Sequence, residues 1–232
     1  MATSKLPGTD AARHGVGNAD TGLMIVMHDA FRRDLVSLAR AADGVRETGP
    51  DEQRAVAAGW EVFKRQLHAH HVSEDQFVWP ALRTRYEGSQ SALSVLDAME
   101  EEHTRVDPLL AAVDDAFARR RDDGPASDDW PGVDRLADMV DVLASTLTAH
   151  LQHEERDALP LISNGLTAEQ WTGIGRQMAR RNGMSIGSEM FAWMLDGTDR
   201  DKVRAVLGQL PPPLRILYRA IWKPRYSRTP HW

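Results

Sequence analysis

The chain has 232 residues, 42% hydrophobic and 27% charged, with a formal net charge of -6; this excludes a disordered chain and suits one sizeable domain with an appendage or two small ones. It has no cysteine, which removes disulfides, thiolate nucleophiles, iron-sulfur clusters and thiolate zinc sites. No apolar run is long enough to cross a bilayer, and the opening MATSKLPGTDAARHG lacks the apolar centre of a secretory signal, so a cytoplasmic protein is expected.

Residues 1 to 19 are rich in Gly and Ala and are expected to form a loose N-terminal segment. Asp20 can cap a first helix, whose apolar positions Leu23, Val26, Met27, Ala30, Phe31, Leu35 and Leu38 follow the helical period, with Gly44 as its stop. Asp51 and Glu52 suit the positive end of a second helix that runs to about Val78, where Pro80 is expected to disrupt it. A third helix begins near Ser89 or Ser91 and passes His103; Pro108 inside it predicts a kink. After the loop DDGPASDDWPG a fourth helix covers roughly Val133 to Leu159.

No β signal interrupts this pattern, so the fold expected for residues 20–164 is all-α, an up-down-up-down four-helix bundle. A helical extension over 165–232 follows. Thr167 to Gln170 reads as a capping box opening a fifth helix, MSIGSEMFAWML (184–195) as an apolar sixth, and Asp199 to Leu207 as a short seventh. Pro211, Pro212 and Pro213 then lead into a last amphipathic stretch with Tyr218 and Trp222.

Charge is unevenly spread. Residues through 160 hold 17 basic and 29 acidic side chains and the remainder 11 and 5, a body at -12 carrying a tail at +6. Docking of the tail on the body is expected, and neither a nucleic acid nor a membrane partner. Arg215 to Arg228, with five basic residues and no acid, is the one stretch that argues otherwise.

An internal repeat carries the chemistry. LHAHHVSEDQFVWP (67–80) and LTAHLQHEERDALP (147–160) share an Ala-His pair, a Glu four residues after the His, and a final Pro. Upstream of each lies Met-x-x-x-His, Met24 to His28 and Met99 to His103. Residues four apart share a helix face, so His70 with Glu74 and His150 with Glu154 can each aim a nitrogen and an oxygen at one point. In an alternating bundle, His28 and His103 near helix starts and His70 and His150 near helix ends fall within about two turns of one another. Buried carboxylates need compensation, which two cations supply; with His and carboxylate as the only donors, iron, zinc or manganese all fit.

Other metal patterns fail. Only Glu100-x-x-His103 matches the paired Glu-x-x-His of ferritin-like oxidases, and His153-Glu154 lacks the second His of a zinc protease helix. Outside the repeat, His68, His71 and His153 read as surface or supporting groups, Met24, Met99, Trp60 and Trp79 as packing, and His14 and His231 as terminal.

On these residues the chain resembles the hemerythrin-like (HHE cation-binding) family over about residues 20 to 162. The resemblance implies a non-heme di-iron centre, oxo- or hydroxo-bridged, with His28, His70, His103 and His150 as terminal ligands and Glu74 and Glu154 as bridges. Oxygen carriers of the family have a further His four residues from the helix 3 ligand, where this chain has Met99 or Asp107, and an Asp where it has Glu154. The three-His iron is therefore expected to be absent and both irons open, unless Asp107, the leading choice, or Glu102, His71 or His153 adds a bond. Dioxygen, peroxide or nitric oxide is the expected partner, with a peroxide-decomposing activity as one outcome. The alternative is an iron- or redox-responsive sensor whose metal occupancy orders the bundle and whose extension contacts a partner.

Overall fold

The computed structural model describes residues 17–43, 49–122 and 132–232. His14 and most of the expected loop between the third and fourth helices lie outside them. All regular structure among the described residues is helical.

Four staves form the bundle. The first is α1 (Gly22–Asp43), whose opening N–H, on Gly22, donates to Asp20 Oδ1 at 2.8 Å. The second joins α2 (Pro50–Ser73) and α3 (Trp79–Arg85) through the turn Glu74–Val78. The third is α4 (Gln90–Asp122), and the fourth joins α5 (Gly132–His153) and α6 (Leu159–Gly165) through Glu154–Ala158. α1 packs on α2 and α5, and α4 packs on α5.

The expectation that Pro80 disrupts its helix needs correcting. Pro80 and Pro160 do not end their helices; each follows a π-turn in which backbone bonds reach five residues back, Trp79 N–H to Glu74 O and Leu159 N–H to Glu154 O. A proline ring collides with the carbonyl four residues before it. The widened turn gives that carbonyl, on Gln76 or Arg156, room to move aside, so the helix continues. α4 likewise runs through Pro108 without interruption.

The N-terminal residues that the structure describes are fastened down. Gly17 N–H donates to Asn164 O at 3.2 Å and Asn18 N–H to Leu166 O at 3.0 Å. A Cβ on residue 17 would lie 2.2 Å from the Asn164 carbonyl carbon, so only glycine allows this approach.

After the bundle come α7 (Ala168–Met194), α8 (Arg200–Gln209), α9 (Pro212–Leu217), a third π-turn (Tyr218–Trp222) and α10 (Lys223–Tyr226). The capping box at Thr167 and Gln170 forms as expected. Gly183, at φ 71 and ψ 175, breaks α7 into two pieces where a separate helix from Met184 was expected. Trp193, Met194, Leu195, Val206, Leu207 and Tyr218 enter the same core as Phe31, Leu35, Phe63 and Leu147. Several polar links hold them: the Trp193 indole N–H donates to Asp34 Oδ2 at 2.7 Å, Arg33 donates to the Trp193 and Asp196 carbonyls, Arg65 and Gln66 donate to Glu189, and Lys202 Nζ lies 2.8 Å from Asp29. Asp34, 0% exposed, sits on α1 six residues after His28. No helix among the described residues is long and apolar enough to cross a membrane.

Candidate metal centre

The staves converge where α2 and α5 give way to their π-turns. His70 lies in the last turn of α2 and Glu74 opens the π-turn; His150 and Glu154 stand identically in the fourth stave. His28 arrives from the second turn of α1 and His103 from the middle of α4. All six are buried, with His28, Glu74 and Glu154 at 0%.

Within each stave the four-residue spacing brings donors together: His70 Nδ1 is 3.2 Å from Glu74 Oε1, and His150 Nε2 is 4.0 Å from Glu154 Oε2. The remaining contacts cross the repeat. His28 Nε2 lies 3.2 Å from Glu154 Oε2, and His103 Nε2 lies 3.6 Å from Glu74 Oε2.

Two triads have ligand atoms all within 4.8 Å of one another, His28 with His70 and Glu154, and His71 with His103 and His150. The second overturns the expectation that a set of three imidazoles is missing, and with it the reading of His71 as a surface or supporting group. His71 is buried, its ring stacked 4.0 Å from His103 and edge-on to His150 at 5.3 Å. Of the other candidates for an extra bond, Asp107 is exposed and points to solvent rather than the centre. Glu102 and His153 take a supporting place.

That support consists of carboxylates on the far side of the rings. His28 Nδ1 is 2.8 Å from Glu155, His103 Nδ1 2.8 Å from Asp75, and His150 Nδ1 2.9 Å from Glu102. Glu102 also holds His153 Nδ1 at 2.8 Å. A carboxylate accepting the Nδ1 proton fixes ring orientation and tautomer and leaves the Nε2 lone pair directed inward, the arrangement that metal-binding histidines require. The sequence did carry a signal for two of these: an acid follows the Glu in both copies, Asp75 after Glu74 and Glu155 after Glu154.

The inward atoms face one another, His28 Nε2 and Glu154 Oε2 as an ion pair at 3.2 Å, but lack hydrogen bonds. Nε2 of His28, His70, His71, His103 and His150 and both oxygens of Glu74 and Glu154 are buried without a hydrogen bond among the described residues. Five nitrogens and four oxygens left this way would cost several kcal/mol in total, and cations at their focus remove the cost. The donor set therefore fits a bound metal. Trp79 Nε1 is the other buried polar atom in this condition, a donor among acceptors. Around the centre, Met24, Met99, Val78, Trp79, Leu96 and Ile162 form one apolar wall, while Phe31, 5.4 Å from the His70 ring, belongs to the other.

Burial alone would lower the His28 pKa, but Glu154 and Glu155 outweigh it and raise it to about 9. Glu154 is the reverse case: burial favours its neutral form, yet the His28 charge 3.2 Å away pulls it down to about 2. Burial, then the Glu154 charge, pushes Glu74 up, and burial keeps His70 and His71 neutral. Metal-free protein thus carries a proton on His28 that a cation must displace. Metal loading at pH 7 to 8 is expected to release it, with the His28 contribution fading as the pH passes about 9. Calorimetric titration in buffers of different ionisation enthalpy measures the proton count.

A four-stave bundle with buried, inward-facing imidazoles and carboxylates defines a metal-cation-binding helical protein. Residues 16–162 match the model of the hemerythrin HHE cation binding domain, and the chain belongs to that family. It is also 22% identical over 194 residues to a zinc finger protein, BRUTUS-like, of Arabidopsis thaliana, an alignment covering 82% of this chain and 15% of that protein. This chain thus spans under a fifth of that relative's length, and without cysteine it has no thiolate zinc finger of its own. No solved structure matches.

Proposed function

We propose that the chain is a non-heme di-iron protein that binds or reacts with a small oxidant: dioxygen, peroxide or nitric oxide. The observation supporting this is the focus of five imidazole nitrogens and four carboxylate oxygens, all without hydrogen bonds, in an apolar interior. His28 and His70 would hold one iron and His71, His103 and His150 the other, with Glu74 and Glu154 shared. Such a pair supplies redox and Lewis-acid chemistry at a position closed to bulk water.

With this division of donors, His28 and His70 would leave their metal the more open side for a small ligand, where the sequence alone suggested both sides open. Phe31, against His70, makes that side apolar and suits a small, weakly hydrated ligand. Asp75, Glu155 and Glu102 keep the imidazoles aimed inward throughout.

The test is metal analysis and optical spectroscopy of protein reconstituted with ferrous iron, about two per chain being expected from two donor sets. His71→Ala is expected to lower this to about one, since it removes a donor from one set only. Adding peroxide, dioxygen or nitric oxide should change the absorption of the parent. An iron-loaded parent inert to all three overturns the oxidant reading.

A second reading, an iron-responsive sensor, is favoured by one observation. A polar chain leads from the centre to the extension: His28 to Glu155, Glu155 to Arg32 at 2.8 Å, Arg32 to Asp29 at 3.8 Å, and Asp29 to Lys202. Iron-dependent protease resistance of residues 165–232, with no reaction toward oxidants, selects this reading.

A further inference from the structure

Pro212 to Arg228 presents two unlike faces. Inward lie Tyr218, Trp222 and Tyr226, spaced by four, with Trp222 stacked on Phe191 at 6.3 Å and all three packed on the main core. Outward lie Ile216 at 66% and Ile221 at 51% exposure, with Arg219, Ala220, Lys223, Pro224, Arg225 and Arg228 also exposed. Ile216, Ala220 and Pro224, again spaced by four, share an apolar crest with cations on its flanks.

The expected neutralisation of the basic tail by the acidic body does not reach these cations. Among the described residues, the tail cation that pairs with the body is Lys202, the other tail-to-body ion pair running from body Arg65 to tail Glu189, and Arg215 is used on the carbonyls of Leu210 and Gly208. Arg219, Lys223, Arg225 and Arg228 make no side-chain hydrogen bond or ion pair with any described residue, and the stretch contains no acid. Two exposed isoleucines set among four unpaired cations need a partner that is both anionic and able to take up apolar side chains.

We propose that this face docks on an anionic phospholipid surface. Each Lys or Arg near such a surface adds roughly a fivefold gain in partitioning, and the isoleucines enter the boundary between headgroups and acyl chains. Single-stranded nucleic acid fits less well, because its binding uses exposed aromatic platforms and the aromatic residues here are turned into the core. The body, at -12 through residue 160, is repelled by the same surface, so the chain docks tail first.

The test uses the full chain and sedimentation with vesicles of phosphatidylcholine alone or mixed with phosphatidylglycerol. Binding is expected to the mixed vesicles only, weakening as salt is raised. The triple variant Arg219→Gln, Lys223→Gln, Arg225→Gln should lose on the order of 100-fold in partitioning. The double variant Ile216→Ser, Ile221→Ser should lose roughly tenfold at unchanged charge. All five side chains are exposed, so both variants should keep the parent's thermal melt, which checks that they fold. No sedimentation with mixed vesicles at low salt overturns the proposal. So does binding unaffected by either variant, or single-stranded DNA binding that matches vesicle binding and ignores the isoleucine change.

Discussion

On the proposed di-iron reading, replacing Glu74 and Glu154 together by alanine is expected to reduce bound iron from about two per chain to a small fraction of one, because each would serve both donor sets. Both side chains are 0% exposed and neither makes a hydrogen bond in the protein, although Glu154 lies 3.2 Å from His28 Nε2. A structural role and a metal role then predict opposite signs in the metal-free state. If these were ordinary buried groups, alanine would destabilise. Glu74, a ligand without its metal and with no hydrogen bond, imposes a desolvation cost that alanine removes, whereas Glu154 is paired with His28 even without metal. The metal-free Glu74→Ala single variant is therefore expected to melt at or above the metal-free parent, while iron stabilises the parent by about 4 kcal/mol at a thousandfold excess over Kd. Metal analysis and paired thermal melts read both effects. Equal iron in parent and double variant would remove the site altogether.

Trp193→Ala is expected to be the most destabilising single change in the extension. The indole is fully buried, lies 4.9 Å from the Phe31 ring and donates to Asp34 inside the core. Truncation leaves a large cavity and an unsatisfied Asp34 oxygen, together about 3–5 kcal/mol. In a chain this long each kcal/mol moves the midpoint by about 2–4 °C. Because Phe31 also touches His70, the loss should extend to the metal side, lowering iron retention during dialysis. Trp193→Phe keeps most of the volume but drops the donor and should cost about 1–3 kcal/mol. A melt of Trp193→Ala within about 1 kcal/mol of the parent would show that the extension adds nothing to the bundle core.

The bundle and six residues of its centre were legible because the sequence states them twice. His-x-x-x-Glu at 70 to 74 and again at 150 to 154, each preceded by Met-x-x-x-His, fixes helix face and order at once. The same symmetry left His71 as only one of four candidates for an extra bond, behind Asp107. The counterpart of His71 in the second copy is Leu151, a fully buried core residue, so a reading built on likeness ranks low the one residue that breaks it. Asp107 was attractive for sitting four residues after His103, but its side of α4 faces water. The π-turns were illegible for another reason: a proline announces a missing donor and a steric clash, while the way a helix absorbs them depends on packing from neighbouring staves. In the extension, local signals gave the capping box and the break at Gly183. The burial of Trp193 against Asp34 is a contact across 159 residues, which no local pattern encodes.

The crossing of donors between copies has a consequence for how such a centre can be divided. Glu74 and Asp75 of the first copy face His103 of the second, and Glu154 and Glu155 of the second face His28 of the first. Neither half-chain contains a complete coordination shell or the acids that steady its own leading imidazole. A precursor with a single copy would have had to assemble as a twofold-symmetric pair, each protomer lending its acids to the other. Within one chain the copies need not match, and a histidine at 71 with leucine at 151 makes one half of the centre unlike the other.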